Sequence, residues 1–217
     1  FRDCPALHFV YFLDSRGRGY PLTYGVSPQG SDIQKALLRF AHGKPLPDLA
    51  AEEWFLINGA NRWGFDKAPL AERAQWSRDR KDQIIAMADD PVNNHEWRTA
   101  DKPLQFLAWA FEYAEWCRSP GTFLSYLSVG LDGSCNGLQH FSAMLRDPVG
   151  GEATNLRALP IMQDIYARVA LATIKRLKED KSGDPLVVQW LQHGGTRSVV
   201  KRSVMTTPYG VTKQSAT

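Results

Sequence analysis

Cysteine is scarce in this chain, three in 217 residues, and Cys4, Cys117 and Cys135 form no C-x-x-C pair. An odd count without that spacing argues against a disulfide framework and against a structural zinc site. No apolar run approaches the roughly 18 residues that a membrane span requires. The N-terminus, Phe1-Arg2-Asp3-Cys4-Pro5, has no signal-peptide layout. These absences point to a reducing, intracellular setting with no membrane partner. There is no starting Met, no internal repeat and no low-complexity segment. The chain reads as an excerpt from a longer protein.

Acidic residues are missing from one stretch. From Pro185 to Thr217 there is no Asp or Glu, while Arg197, Lys201, Arg202 and Lys213 are all cationic. The whole chain is only +3, so the first 184 residues carry a net −1. The basic character therefore belongs to the C-terminal stretch, where an anionic partner should bind. A 43% hydrophobic, 23% charged composition is that of a globular chain with ample material for a core. The length allows one or two domains.

Strand and turn signals come first. His8 to Leu13 is aromatic and β-branched, Asp14 to Gly19 supplies turn chemistry, and Tyr20 to Val26 can return as a partner strand with Pro21 near its edge. The result is a hairpin with arginines at its tip. Ser31 and Gln34 have capping-box spacing, Ile33, Ala36, Leu37 and Phe40 keep helical spacing, and Gly43 stands where a C-terminal cap belongs. Between Pro45 and Thr122 the pattern predicts helices at Asp48 to Asn58, Ala71 to Ala88 and Pro103 to Cys117, with Gly59, Gly64, Pro69, Pro91 and Ser119-Pro120-Gly121 as breakers. Trp54, Trp76, Trp109 and Trp116 read as packing residues rather than ligand stackers.

Leu124 to Leu131 alternates loosely and predicts a short strand that delivers Asp132 to its end. After Pro160, the positions Ile161, Ile165, Val169, Ala172, Ile174 and Leu177 define a long amphipathic helix that ends in a solvated charged run. A short helix is expected at Val187 to Gln192. Gly194-Gly195 breaks it, and Thr196 can cap a following basic helix.

Two stretches carry chemistry. Asp132-Gly133-Ser134-Cys135-Asn136-Gly137-Leu138-Gln139-His140-Phe141 places a carboxylate and a glycine-punctuated polar run between apolar segments, which suits a hard metal ion and backbone held close to a ligand. An isolated Asp-Gly is most often only a turn, and the C-x4-H spacing of Cys135 and His140 has no second pair to make a zinc site. The other stretch, Arg197 to Gly210, reads R-x3-K-x7-Y-G. On a helix Lys201 lies about 40° and Tyr209 about 120° from Arg197, and Tyr209 lies roughly 18 Å from Arg197 along the axis, a span comparable to a nucleoside triphosphate. Arg197 and Lys201 would grip phosphates and Tyr209 would meet sugar and base. Pro208 should loosen or end the helix there, with Gly210 as a left-handed cap. Most isolated R-x3-K patterns are solvated surface cations.

Together these stretches resemble the first and second catalytic motifs of the single-subunit DNA-directed RNA polymerases of bacteriophages and mitochondria, nearer the phage branch. Phe12-Leu13-Asp14-Ser15-Arg16-Gly17-Arg18 and Ser142 to Gly151 are similar as well, so the resemblance runs along essentially the whole chain. It implies that Asp132, with the Gly133 carbonyl, ligates catalytic Mg²⁺. Arg197 and Lys201 would hold the incoming ribonucleoside triphosphate, Tyr209 and Gly210 would complete its site, and Lys201 and Tyr209 would act with Asp132 in catalysis. Arg16 and Arg18 would approach the DNA template and the RNA product. The family also uses a second metal-binding Asp in a His-Asp pair, and no such dipeptide occurs here. These 217 residues are therefore expected not to polymerise RNA alone.

The implied fold is α+β. It comprises part of a polymerase palm (1–44), a helical palm insertion (45–122), palm with the first catalytic motif (123–153), and the start of a helical fingers subdomain with the nucleotide-binding helix (154–217). The complete enzyme is expected to be monomeric and to act in the cytoplasm of an infected bacterial host. The alternative from a different class is a non-catalytic nucleic-acid-binding domain that uses the basic segment.

Overall fold

Apolar residues at helical spacing recur through most of the chain, and the computed structural model, which describes residues 4–15, 17–212 and 214, turns them into helices. Two units result, Phe1–Gly130 and Leu131–Thr217. The first begins with the antiparallel hairpin β1 (Tyr11–Leu13) and β2 (Gly19–Pro21), in which Phe12 faces Tyr20. It continues through α1 (Asp32–Ala36), α2 (Leu49–Trp63), α3 (Leu70–Asp79), α4 (Lys81–Asp89) and α5 (Pro103–Arg118). The second unit holds α6 (Asn136–Leu145), α7 (Pro148–Ala153), α8 (Ile165–Glu179), α9 (Pro185–His193) and α10 (Arg197–Thr206). Helices with one small antiparallel sheet are consistent with the α+β expectation. No described helix is long and apolar enough to cross a membrane.

The large apolar cluster lies in the first unit, where Phe55, Leu56 and Ala60 of α2 meet Ile84 and Met87 of α4 and Phe106, Trp109 and Tyr113 of α5. Trp109 is fully buried and its indole N–H donates to the Phe55 carbonyl at 2.9 Å. Gly59 makes room for that ring, since a Cβ there would stand 2.2 Å from Trp109 Cζ2. The sequence marks Gly59 as a breaker, but α2 runs on to Trp63 and stops at Gly64, whose φ of 109° favours glycine. Trp76 is buried and Trp116 packs on the cluster, as expected, whereas Trp54 is 42% exposed.

Other elements differ from expectation for identifiable reasons. The helix predicted over Ala71 to Ala88 is two helices broken at Arg80, because α3 buries Ala74 and Trp76 beside α2 while α4 turns Ile84 and Met87 toward α5. Helix α1 ends at Ala36 instead of reaching Phe40. The following segment pairs with the 125–126 backbone, through Phe40 N to Tyr126 O at 2.9 Å and a Lys44–Ser125 bridge, and Gly43 packs against Leu124 and Tyr126. The return strand of the hairpin stops at Pro21, which supplies no N–H.

The strand predicted at Leu124 to Leu131 is only that single bridge. Side chains take the acceptor that a neighbouring strand would use: Arg62 Nη2 and Asn58 Nδ2 both donate to the Ser128 carbonyl, at 2.8 and 3.2 Å. Arg62 also donates to Asn58 Oδ1 and the Gln105 carbonyl. Its burial lowers its pKa to about 10, against the opposing influence of Glu112 and Asp32. The Arg62 fork thus fastens a loop, and no ladder forms.

Candidate nucleotide site

Asp132 follows irregular backbone rather than a strand, is exposed, and its Oδ1 accepts the Gly133 N–H at 2.8 Å. The polar residues after it fasten the chain locally. Cys135 is buried in a left-handed conformation (φ 61°) as the N-terminal cap of α6, and its carbonyl receives the Gln139 N–H. Gln139 Nε2 donates to the Thr154 carbonyl at 2.7 Å, and Asn155 Nδ2 reaches Ser134 Oγ at 3.1 Å. Asn155 further exchanges hydrogen bonds with the Gln163 backbone at 2.7 and 2.6 Å. His140, on α6, is exposed.

The basic segment begins where Gly194 and Gly195, with φ of 81° and 32°, separate α9 from α10. Thr196 caps α10 in extended backbone, and its hydroxyl lies 2.8 Å from that of Ser198. One helical turn apart, Arg197 and Lys201 share a partner. The Arg197 guanidinium carbon stands 5.1 Å and Lys201 Nζ 5.8 Å from the centroid of the Tyr166 ring. Arg197 Nε also donates to Asp164 Oδ2. The other oxygen of Asp164 caps α8, accepting from Tyr166 N and Ala167 N at 3.0 and 3.2 Å. Partial burial works to raise the Asp164 pKa, but the Arg197 and backbone hydrogen bonds prevail and hold it below the usual carboxylate range.

Tyr166 is buried, and that burial, followed by its hydrogen bond with Cys135, pushes the phenol up to about 12. It stays neutral and joins the start of α6 to the two cations of α10. Helix α10 stops at Thr206, short of the tyrosine, and a 3-10 turn over Thr207–Tyr209 follows, closed by Gly210 at φ 75°. Pro208 accounts for the change of winding because it has no N–H to continue the helical ladder. Tyr209 is 55% exposed.

The two motifs meet at Gly137. A Cβ there would lie 2.7 Å from Pro208 Cβ and 3.4 Å from Tyr209 Cζ, so the first turn of α6 backs directly onto the tyrosine. Among the described residues Asp132 forms no ion pair with Arg197 or Lys201, and no group of three or more His, Cys, Asp or Glu side chains could hold a metal ion. A hard cation would find one exposed carboxylate and one carbonyl at Asp132 and Gly133, which is a partial oxygen donor set of the kind Mg²⁺ accepts together with water and phosphate. Arg18 belongs to the first unit, exposed at the hairpin tip, where its N–H donates to Asp14 Oδ1 at 2.9 Å. Arg16 lies outside the described residues.

The sequence pattern does not single out Tyr166 or Asp164. An Asp directly before an apolar-periodic run is a helix-start signal, and reading it would have moved the start of α8 from the Pro160 region to Ile165. Nothing in the spacing tells that the same carboxylate reaches Arg197, 33 residues further on.

A family model described as DNA-dependent RNA polymerase matches residues 47–217. The DNA-directed RNA polymerase of Enterobacteria phage T3 is 42% identical over an alignment that covers 97% of this chain and 26% of that protein. T7 RNA polymerase of Escherichia phage T7 is 40% identical with the same coverage. The mitochondrial DNA-directed RNA polymerase of Homo sapiens is 39% identical over 93% of this chain and 17% of its own length. The chain therefore spans about a quarter or less of the relatives it matches.

Proposed function

The chain belongs to the DNA-dependent RNA polymerase family of the phage and mitochondrial type, and from that premise we propose that the protein it comes from synthesises RNA on a DNA template from ribonucleoside triphosphates. The observation that carries the reading furthest is the pairing of Arg197 and Lys201 over one ring, in the same unit where Gly137 of the first motif backs onto Tyr209 of the second. Two cations one turn apart can hold a triphosphate as a fork and a point charge. Tyr209, exposed at the other end of the segment, meets the ribose and the base, and Gly210 lets the chain turn away beneath them.

Asp132 and the Gly133 carbonyl would hold Mg²⁺. The chemistry such an ion would supply is a lower pKa for the attacking 3′-hydroxyl and neutralised charge on the leaving pyrophosphate, work that the resemblance implies is shared between two ions. The reaction is an in-line displacement in which the 3′-oxygen bonds to the α-phosphorus as the bond to the pyrophosphate oxygen breaks. Arg197 and Lys201 contribute by orienting the triphosphate so that this line is kept. Arg16 and Arg18 approach template and product strands through their phosphates. Residues 1–44 and 123–153 form palm, 45–122 its helical insertion and 154–217 the start of the fingers. The working enzyme is a monomer in the cytoplasm of an infected bacterium.

One carboxylate cannot organise two metal ions, so the 217 residues expressed by themselves should show no template-dependent nucleotide incorporation. Radiolabelled incorporation above background by that fragment would overturn the assignment of Asp132 as one member of a pair. Tyr209 provides a separate test, because a hydroxyl that reads the ribose should be dispensable for synthesis but needed for sugar choice. In the full-length enzyme Tyr209→Phe is expected to keep synthesis within about threefold while selection against deoxynucleotides falls by about tenfold or more, the scale of one lost discriminating hydrogen bond. Competition between ribo- and deoxynucleotides on one template measures this, and unaltered selection would remove the role given to Tyr209.

A further inference from the structure

We propose that Asp164 is a positioning residue for the incoming nucleotide: it aims the Arg197 guanidinium at the triphosphate by holding it from the side. The inference rests on the reading of Arg197 as a triphosphate ligand and extends it to a residue outside both motifs.

The geometry divides the Asp164 carboxylate into two tasks. Oδ1 accepts the Tyr166 and Ala167 N–H groups and so caps α8, while Oδ2 receives Arg197 Nε. Because the bond is made at Nε, the two terminal nitrogens of the guanidinium remain for a ligand. Among the described residues neither takes part in a hydrogen bond or ion pair. The Arg197 side chain is 39% exposed, which leaves it open to a ligand, and the Tyr166 ring lies 5.1 Å from its guanidinium carbon. A free arginine side chain has many rotamers, and holding it costs side-chain entropy at each binding event. Bonded at Nε and held close to a ring, Arg197 meets its ligand with part of that cost already met by the fold.

Asp164 also answers an electrostatic difficulty. Arg197 and Lys201 stand over one ring, and like charges gathered about a shared partner repel. A carboxylate bonded to the first of them offsets that repulsion and lets both cations point the same way before nucleotide arrives. The carboxylate could instead compete with phosphate for Arg197. A bond to the terminal nitrogens would have that effect, whereas a bond to Nε leaves the phosphate-facing edge open.

The substitution Asp164→Asn separates the two tasks, because asparagine caps helices about as well as aspartate but brings no charge to Arg197. Steady-state kinetics of the full-length polymerase are compared for the wild type, Asp164→Asn, Arg197→Ala and the double variant, with ribonucleoside triphosphates varied on a fixed template. Asp164→Asn is expected to raise KM about tenfold with kcat within about twofold, as for a contact held equally in ground and transition states. Hydrogen exchange of the α8 amides should be unchanged, which a merely structural role would not allow. In the Arg197→Ala background the same substitution should add nothing. If Arg197→Ala raises KM but Asp164→Asn leaves it unchanged or lowers it, or if the Asp164→Asn effect persists without Arg197, the positioning role is overturned. If Arg197→Ala itself leaves KM unaltered, the triphosphate reading fails instead.

Discussion

Under the proposed function, replacing Asp132 with alanine in the full-length protein is expected to reduce nucleotide addition by about a thousandfold or more, the rate equivalent of roughly 4 kcal/mol of lost transition-state charge stabilisation. Folding should be spared. Asp132 is exposed and, among the described residues, its side chain's one hydrogen bond closes a turn with the exposed Gly133 N–H, which water can replace. DNA affinity should change by less than about twofold, because binding to the phosphate backbone comes from cations and Asp132 is not one. Single-nucleotide extension and fluorescence anisotropy on the same template read the two quantities. Synthesis that persists within about tenfold of wild type would place the essential carboxylate elsewhere. It would favour the alternative in which the C-terminal basic segment belongs to a non-catalytic nucleic-acid-binding module.

The second large effect concerns the helical core. Trp109→Ala should destabilise the first unit by about 3–5 kcal/mol, since a fully buried indole leaves a cavity that its neighbours cannot fill. The sharper observation is its coupling to Gly59. Alone, Gly59→Ala should cost about 1–3 kcal/mol, because the new Cβ would stand 2.2 Å from the ring and something must shift. With Trp109 already truncated, the obstacle is gone and the ordinary helix preference for alanine should make the same change stabilising by about 1 kcal/mol. Amide hydrogen exchange in α2 and α5 of the full-length protein measures local stability where global unfolding is not two-state. An equal cost for Gly59→Ala on both backgrounds would show that the glycine is there for some reason other than room for the indole.

Helices whose patterns were long and clearly punctuated came out of the sequence nearly intact. Pro103 at the first position of α5 marks a start that the structure keeps, whereas α9 begins at Pro185, two residues before the expected Val187, with proline at its first position. Gly64, Gly194 and Gly210 all take left-handed conformations, and each stands where the pattern put a breaker or a cap. The failures share a cause. Gly59, the break at Arg80, the early end of α1 and the missing strand before Asp132 were each decided by a partner remote in sequence: Trp109 for Gly59, α2 and α5 for Arg80, Tyr126 for α1, and the Arg62 fork for Ser128. Local spacing encodes which face of a segment is apolar, and it holds no information on which neighbour that face will meet.

By itself the amino-acid sequence determined the chemistry present: a carboxylate beside glycine in a polar motif, an Arg and a Lys one turn apart, a Tyr-Gly end after proline, and a basic C-terminal stretch without acidic residues. Those are facts of residue type and short-range period, and covalent geometry transmits them directly. Tertiary structure alone decided that Tyr166 lies beneath both cations, that Asp164 holds one of them by its side nitrogen, and that Gly137 leaves space for Pro208 and Tyr209. Contacts of that kind depend on how the folded backbone closes distances of tens of residues, which only the packing of whole elements can fix.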